Sequence, residues 1–386
     1  MINQKQNTEL ADIFSSHEET FKAAHTLCAE QQKAYNAIMY CRTPALGGHT
    51  SHCNHCGHMR NAYNSCRNRH CPKCQFIKKE QWVDKLAANL PPVNHFHLVF
   101  TIPHELNKLF YLNQAKAYDL LFKASSQSLL ELAAQGKHLG AQAGAVAILH
   151  TWGQNLSYHP HIHMIVPAGG LSDDLMEWIY APRNFFISVK VISPVFRGIL
   201  YRLMSQEILK NELQLPNDIR DIAHLKSLCY KKQWVVYAKK PFSDASGIIG
   251  YLGNYTHRVA ISNNRLIDHK DNKVTFNYKD YKNAGTRRIV SIDAHEFIRR
   301  FMQHVLPCGF YKIRYYGFLA LSNIKTKLQL VYSLIPKATY LSKFEGLGAI
   351  DVWRELTGED PLCCPKCKQG KMMPGKKASP AVSEYG

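Results

Sequence analysis

The sequence predicts an α+β fold, an antiparallel sheet flanked by helices, with a small metal-organised module at its N-terminal end. Three observations predict it. Strand-like and helix-like runs interleave along the chain. Polar connections link neighbouring strand-like runs, QNLSY between GAVAILHTWG and HPHIHMIVPAGG and Asp271-Asn272 within RLIDHKDNKVTFNYKDY, so these runs pair as hairpins. Two Cys-x-x-Cys turns lie close together in residues 53–74, where apolar periodicity is lost.

Taken in order, the first forty residues read as helical, with Ala, Leu, Ile and Met recurring every three or four positions. The segment from Cys41 to Cys74 is rich in Cys, His, Gly, Asn and Arg. Gln75 to Leu90 favours helix and stops at Pro91 and Pro92. Residues 1–90 therefore form a helical and zinc-binding module. The next unit, residues 91–325, opens with the strand NHFHLVFTIP and the helix LNQAKAYDLLFKASSQSLLELAAQ. The hairpin already named follows, then the amphipathic helix SPVFRGILYRLMSQEILKNEL, the strand KQWVVYAKKPF, a helix starting near Ser243, and the second hairpin. Residues 326–386 make a C-terminal extension with a CPxC element and a polar, disordered tail. No internal repeat is visible.

Length and composition set bounds. A chain of 386 residues with 46% apolar content can bury a sizeable core. Its formal charge of +19, from 48 Lys and Arg against 29 Asp and Glu, repels itself unless an anionic partner offsets it, and nucleic acid is the first candidate. No secretory leader and no apolar run near the roughly 18 residues of a membrane span are visible, so a cytoplasmic protein without a membrane partner is expected. Twelve cysteines in a reducing compartment point to metal rather than disulfides.

Cys53, Cys56, Cys71 and Cys74 supply the four thiolates of one tetrahedral zinc, a closed shell that leaves no coordination site for chemistry. Cys66, His70, Cys41, His49, His52, His55 and His58 offer donors for a second ion; the alternative is that the histidines are solvated. Arg67, Arg69 and Lys73, with Arg60, Lys78 and Lys79, give the module a basic surface on which Tyr63 and Phe76 can stack bases, a DNA-binding reading. A purely structural zinc knot accounts for the same residues. Near the C-terminus, Cys363-Cys364-Pro-Lys-Cys367 offers half of a similar site, its missing ligands to come from elsewhere, for example His304 or Cys308, with a metal-free segment as the alternative.

His161 and His163 sit two apart in a strand, so both imidazoles project from one face and can hold one divalent ion. Tyr251 and Tyr255 sit four apart in YLGNYTHR, so a helix offers two phenols side by side, with Arg258 close to both. A phenol with a pKa of about 10 is a weak nucleophile, and a metal polarising a phosphate with a neighbouring cation is the help it needs. Packing roles for both pairs are the plain alternative. No GxxxxGK[ST] phosphate loop is present, so no ATP-driven step is expected.

These strings, with CRTPALGGH, NSCRNRHCPKCQ, HLVFTIPHEL, HTWGQNLSYHPHIHMIVPAGG, YLGNYTHRVAISNNRL and EFIRRFMQHVLPCGFYKIRYYGFLA, cover nearly the whole chain. It resembles the two-tyrosine HUH transposases of the insertion-sequence-ninety-one type, with their N-terminal zinc-binding domain. The resemblance implies an HUH endonuclease fold and the nucleoid of a prokaryote as its place of action. It also implies Mg2+ or Mn2+ on His161 and His163, and Tyr251 and Tyr255 as nucleophiles. Single-stranded DNA at transposon ends and target is the implied partner, joined through a 5′-phosphotyrosine, with Arg258 on the scissile phosphate. The third metal ligand stays open between His97, Gln154 and His159. A rolling-circle initiator or relaxase, or a catalytically inactive zinc-dependent DNA-binding protein, is the competing expectation. Oligomeric state is not readable from the sequence.

Overall fold

The computed structural model describes residues 8–182, 185–242, 260–280 and 285–380. The periodic N-terminal segment forms three short helices, α1 (Leu10–Ser16), α2 (Glu18–Ala24) and α3 (Ala29–Tyr40). The Cys-rich segment forms a hairpin of β1 (Gly48–Cys53) and β2 (Met59–Tyr63), followed by α4 (Phe76–Ala88). Pro91 and Pro92, expected to stop that helix, come two residues after its end, beyond Asn89 and Leu90.

The interleaved runs then build the central sheet. Its strands are β3 (His95–Thr101), β4 (Gly144–Trp152), β5 (Tyr158–Pro167), β8 (Val236–Phe242) and β12 (Ile313–Gly317). Between β5 and β8 come a two-stranded ribbon, β6 (Gly169–Leu171) and β7 (Trp178–Tyr180), and two helices. The order in the sheet is β12-β4-β5-β3-β8, every neighbour antiparallel, so β5 lies at the centre with β4 and β3 beside it. Four helices cover one face: α5 (Asn107–Leu112), α6 (Gln114–Ala133), α7 (Val189–Leu209) and α8 (Ile222–Tyr230). They bury Phe96, Leu98, Ala147, Leu149, Ile162 and Met164. Part of the other face, through Val146, Ile148 and Ile165, packs on Leu86 of α4, on Leu90 just after it, and on Leu328 and Val331 further along the chain.

A second sheet, β9 (Leu266–Lys270), β10 (Lys273–Asp280) and β11 (Thr286–Asp293), precedes α9 (Ala294–Met302). Asp271 and Asn272 both have positive φ, 50° and 57°, as a two-residue type I′ turn requires. This sheet and α9 share a core with α1–α3, in which Phe14 stacks on Tyr35 at 4.6 Å and meets Phe301 edge-on at 5.5 Å. The N-terminal helices thus bury their apolar face against residues 260–305, across the boundary expected near residue 90.

The last part of the chain contains α10 (Lys327–Leu334), α11 (Ala349–Thr357) and a strand, β13 (Met372–Ala378). A disordered tail was expected where β13 instead pairs antiparallel with β1, giving a sheet of order β13-β1-β2. The physical reason is the free edge of β1, whose backbone donors and acceptors need a partner. Among the described residues no helix is long and apolar enough to cross a membrane.

Candidate metal centres and nucleic-acid surface

The strand period and the β-sheet register assemble the first site. On β5, Ile162 and Met164 point into the helix-covered core, so His161 and His163 point the other way. The register pairs His150 of β4 with His161, which puts His150 on the same face. The ligand atoms of His150, His161 and His163 all lie within 4.8 Å of one another, and all three residues are buried. His97 on β3 shares that face diagonally, with its Nε2 2.8 Å from Nδ1 of His163 and the two rings parallel.

Burial pushes the His161 imidazole down to about 3 and, with His150 as its next largest influence, His163 well below the ordinary value. Neutral imidazoles keep the lone pairs that a metal needs. For His161 the tautomer is set: Nδ1–H donates to the His159 carbonyl at 2.6 Å, leaving Nε2 as the lone-pair atom. Of the third ligands expected, His97 bonds His163, Gln154 offers its backbone carbonyl to Arg265, and His159 supplies the carbonyl under His161. Neither His97 nor His159 belongs to the trio of converging donors. Sequence reading missed His150; writing β4 against β5 in register would have found it, but for the bulge between His150 and Trp152. Tyr251, Tyr255 and Arg258 lie outside the described residues.

The cysteines form two quartets. Cys41, Cys66, Cys71 and Cys74 make one, with Cys74 Sγ 3.3 Å from Cys41 Sγ and 3.5 Å from Cys66 Sγ. Cys53, Cys56, Cys364 and Cys367 make the other. This corrects the expectation of one site from Cys53, Cys56, Cys71 and Cys74. The first pair sits at the turn of the β1–β2 hairpin, where β13 brings the C-terminal pair, while the second sits under α3, whose C-terminus delivers Cys41. Each Cys-x-x-Cys turn supplies half a site, and the tertiary fold selects its complement. No disulfide joins any of the twelve cysteines.

His70 is not among the ligands of either set. Its Nδ1 donates to Asn68 Oδ1 at 3.1 Å and its Nε2 accepts from the Leu306 backbone N–H at 3.2 Å. Burial holds its pKa at about 3. His304 likewise joins Thr151 to the Leu156 carbonyl and lies outside both cysteine sets.

The three basic residues expected at DNA divide. Arg69 points inward, donating to the carbonyls of Phe310 at 2.6 Å and Pro307 at 2.8 Å, which docks the zinc module onto the loop after α9. Lys73 pairs with Glu9. Arg67 remains exposed and, with Arg42, Arg60, Asn61, Tyr63 and Asn64, lines an open cleft. Arg42 and Arg67 each follow a cysteine of the first quartet and each has positive φ, 60° and 52°. Such conformations cost about 1 kcal/mol or more apiece and persist where surrounding contacts fix them. The metal turns thereby present arginines to the cleft.

Comparison with known proteins matches this layout. The family described as "Transposase zinc-binding domain" covers residues 13–102, and the family described as "Putative transposase" covers residues 144–327. "Putative transposase y4qJ" of Sinorhizobium fredii is 42% identical over 382 residues, spanning 96% of this chain and 95% of its own length. "Transposase for insertion sequence element IS801" of Pseudomonas savastanoi pv. phaseolicola is 29% identical over 312 residues, 78% of this chain and 73% of its own. No solved structure matches. The chain therefore belongs to the IS91-type insertion-sequence transposases, DNA-processing proteins with an N-terminal zinc-binding domain.

Proposed function

We propose that this transposase cuts and rejoins single-stranded DNA through a tyrosine ester, on an HUH-type nuclease core. The observation that carries the reading is the buried trio His150, His161 and His163 on one face of the central sheet. In that reading the trio holds Mn2+ or Mg2+, which when bound polarises the scissile phosphate. His161 binds through Nε2 and His97 orients His163, a carbonyl and an imidazole acting as outer supports.

Tyr251 or Tyr255 supplies the nucleophile. Its phenol oxygen attacks phosphorus as the phenolic proton leaves to a base; the bond from phosphorus to the 3′ oxygen breaks, and that oxygen departs as a 3′-hydroxyl after taking a proton. A 5′-phosphotyrosine remains, and a second 3′-hydroxyl reverses the step on another strand, so no ATP is consumed. Arg258 binds the phosphate. The two tyrosines allow one strand end to be held while another is attacked. Arg42, Arg60 and Arg67 in the cleft, with Tyr63 for stacking, hold the DNA that is being read.

End-labelled single-stranded oligonucleotides tiled across both strands of the DNA flanking the gene test this directly. The expected result is a denaturation-resistant protein–DNA adduct that requires metal and is absent in the Tyr251→Phe/Tyr255→Phe double variant. Specific binding with no adduct under either metal would instead make the chain a DNA-binding protein.

A further inference from the structure

We propose that Cys53, Cys56, Cys364 and Cys367 hold a second structural zinc ion, which clasps the C-terminal segment onto the zinc module. Cys364 and Cys367 lie outside both matched segments, residues 13–102 and 144–327. Their sulfurs nevertheless meet the hairpin pair at 3.7 Å, Cys53 to Cys367 and Cys56 to Cys364, across 314 and 308 residues of sequence. A tetrahedral zinc with bonds of about 2.3 Å places its sulfurs about 3.8 Å apart, so the spacing suits an ion at the centre.

The backbone supports thiolates there. Cys53 Sγ accepts the N–H groups of His55 and Cys56, and Cys367 Sγ accepts that of Gly370, each at 3.4 Å. Gly370 is required by closeness: a Cβ at this position would stand 2.4 Å from Cys53 Sγ. Strand pairing continues the contact, with Lys371 N–H donating to Asn54 Oδ1 at 2.8 Å and Asn54 N–H to the Lys371 carbonyl at 3.1 Å.

The energetics give the ion a reason to be there. The buried apolar contacts of this sheet consist of Cys53, Cys364 and Met372, with Cys367 packed against them, and β2 is almost wholly exposed. A small sheet with so little to bury needs a staple. Four thiolates around zinc form a closed structural shell that folds such elements outright. Since β2 carries Arg60 and Tyr63, the clasp also fixes one wall of the basic cleft.

Elemental analysis of the full-length protein tests the proposal. The Cys364→Ser/Cys367→Ser variant should lose one zinc equivalent per chain relative to the wild type, and Cys41→Ser/Cys66→Ser a different one. Unchanged zinc in the first variant overturns the site, and so does a full equivalent of iron lost in place of zinc. Alkylation of the wild-type chain followed by mass spectrometry needs no variant to fold. Cys56 is exposed, as are Cys28 and Cys308. Cys28 and Cys308 should label promptly, while Cys56, Cys364 and Cys367 should label only after a chelator is added. Prompt labelling of Cys56 in the untreated protein would show that no ion holds it.

Discussion

At the scale of single residues, the proposed metal reading divides the histidine face into three ligands and their supports. His150→Ala should reduce metal-dependent adduct formation as severely as His161→Ala, because each removes one of three converging donors. His97→Ala should leave the trio intact but disorient His163, lowering metal affinity about 10–100-fold, with activity recovered at high Mn2+. A His150→Ala variant with the wild-type metal titration would place the third ligand elsewhere. Mn2+ should also work at lower concentration than Mg2+, since Mg2+ favours oxygen donors.

His70 makes a pH prediction of its own. Its pKa is about 3 in the folded chain, lowered by burial, against about 6.5 when unfolded. Between those values the unfolded chain binds the extra proton, so stability falls as pH drops through this window and is unaffected above it. Protonation would also remove the lone pair that accepts the Leu306 N–H. Urea unfolding of the zinc-loaded protein at pH 7 and pH 5.5 should show the loss, and His70→Ala should lessen its slope by the share of one group, since burial holds His95, His161, His163 and His304 down in the same window. An equally steep pH dependence in the variant would assign the effect to other groups.

At the scale of elements, α4 is the fastening point of the C-terminal extension. Burial alone would raise the Asp84 carboxyl, yet hydrogen bonds from Ser342, Tyr340 and the N–H groups of Lys343 and Phe344 hold it below the usual carboxylate range. One side chain therefore caps an entire loop. Asp84→Ala leaves those donors without their acceptor and should destabilise the chain by about 3 kcal/mol in denaturant unfolding. It should also raise protease sensitivity around residues 340–345. A loss under about 0.5 kcal/mol would show that the extension is held on α4 by other contacts, such as the edge-on approach of Phe76 to Trp353 of α11.

At the scale of the whole molecule, the chain returns to its beginning: β13 pairs with β1, and residues 260–305 share a core with the first three helices. The zinc module is thereby built into the body of the protein, with Arg69 and His70 at the junction and Arg42, Arg60 and Arg67 facing outward. The two classes of arginine should behave differently. Arg67→Ala should reduce the slope of log affinity for single-stranded DNA against log salt by about 0.7, the share of one phosphate contact. Arg69→Ala should lower thermal stability, because two carbonyls at the junction lose their donors, and should leave the salt slope of the remaining folded protein unchanged.

What the sequence by itself determined is what local backbone geometry dictates. A two-residue period puts His161 and His163 on one face, a Cys-x-x-Cys turn makes half a metal site, and Asp271-Asn272 turns a hairpin; strands such as β3 and β5 and helices such as α6 and α7 fall where their apolar runs place them, while the helix expected near Ser243 lies outside the described residues. Only the tertiary structure decided partnership. It matched Cys53 and Cys56 to Cys364 and Cys367, chose His150 through a bulged register, and turned Arg69 inward while its neighbour Arg67 stayed exposed. The reason lies in chain statistics: each doubling of a closed loop costs only about 0.6 kcal/mol, so ligands some 300 residues away give up only about 2.6 kcal/mol to those about 15 residues away, a handicap that a few packing contacts or ladder hydrogen bonds offset. Nearness in sequence therefore says little about which half-sites join, and packing and strand pairing settle it.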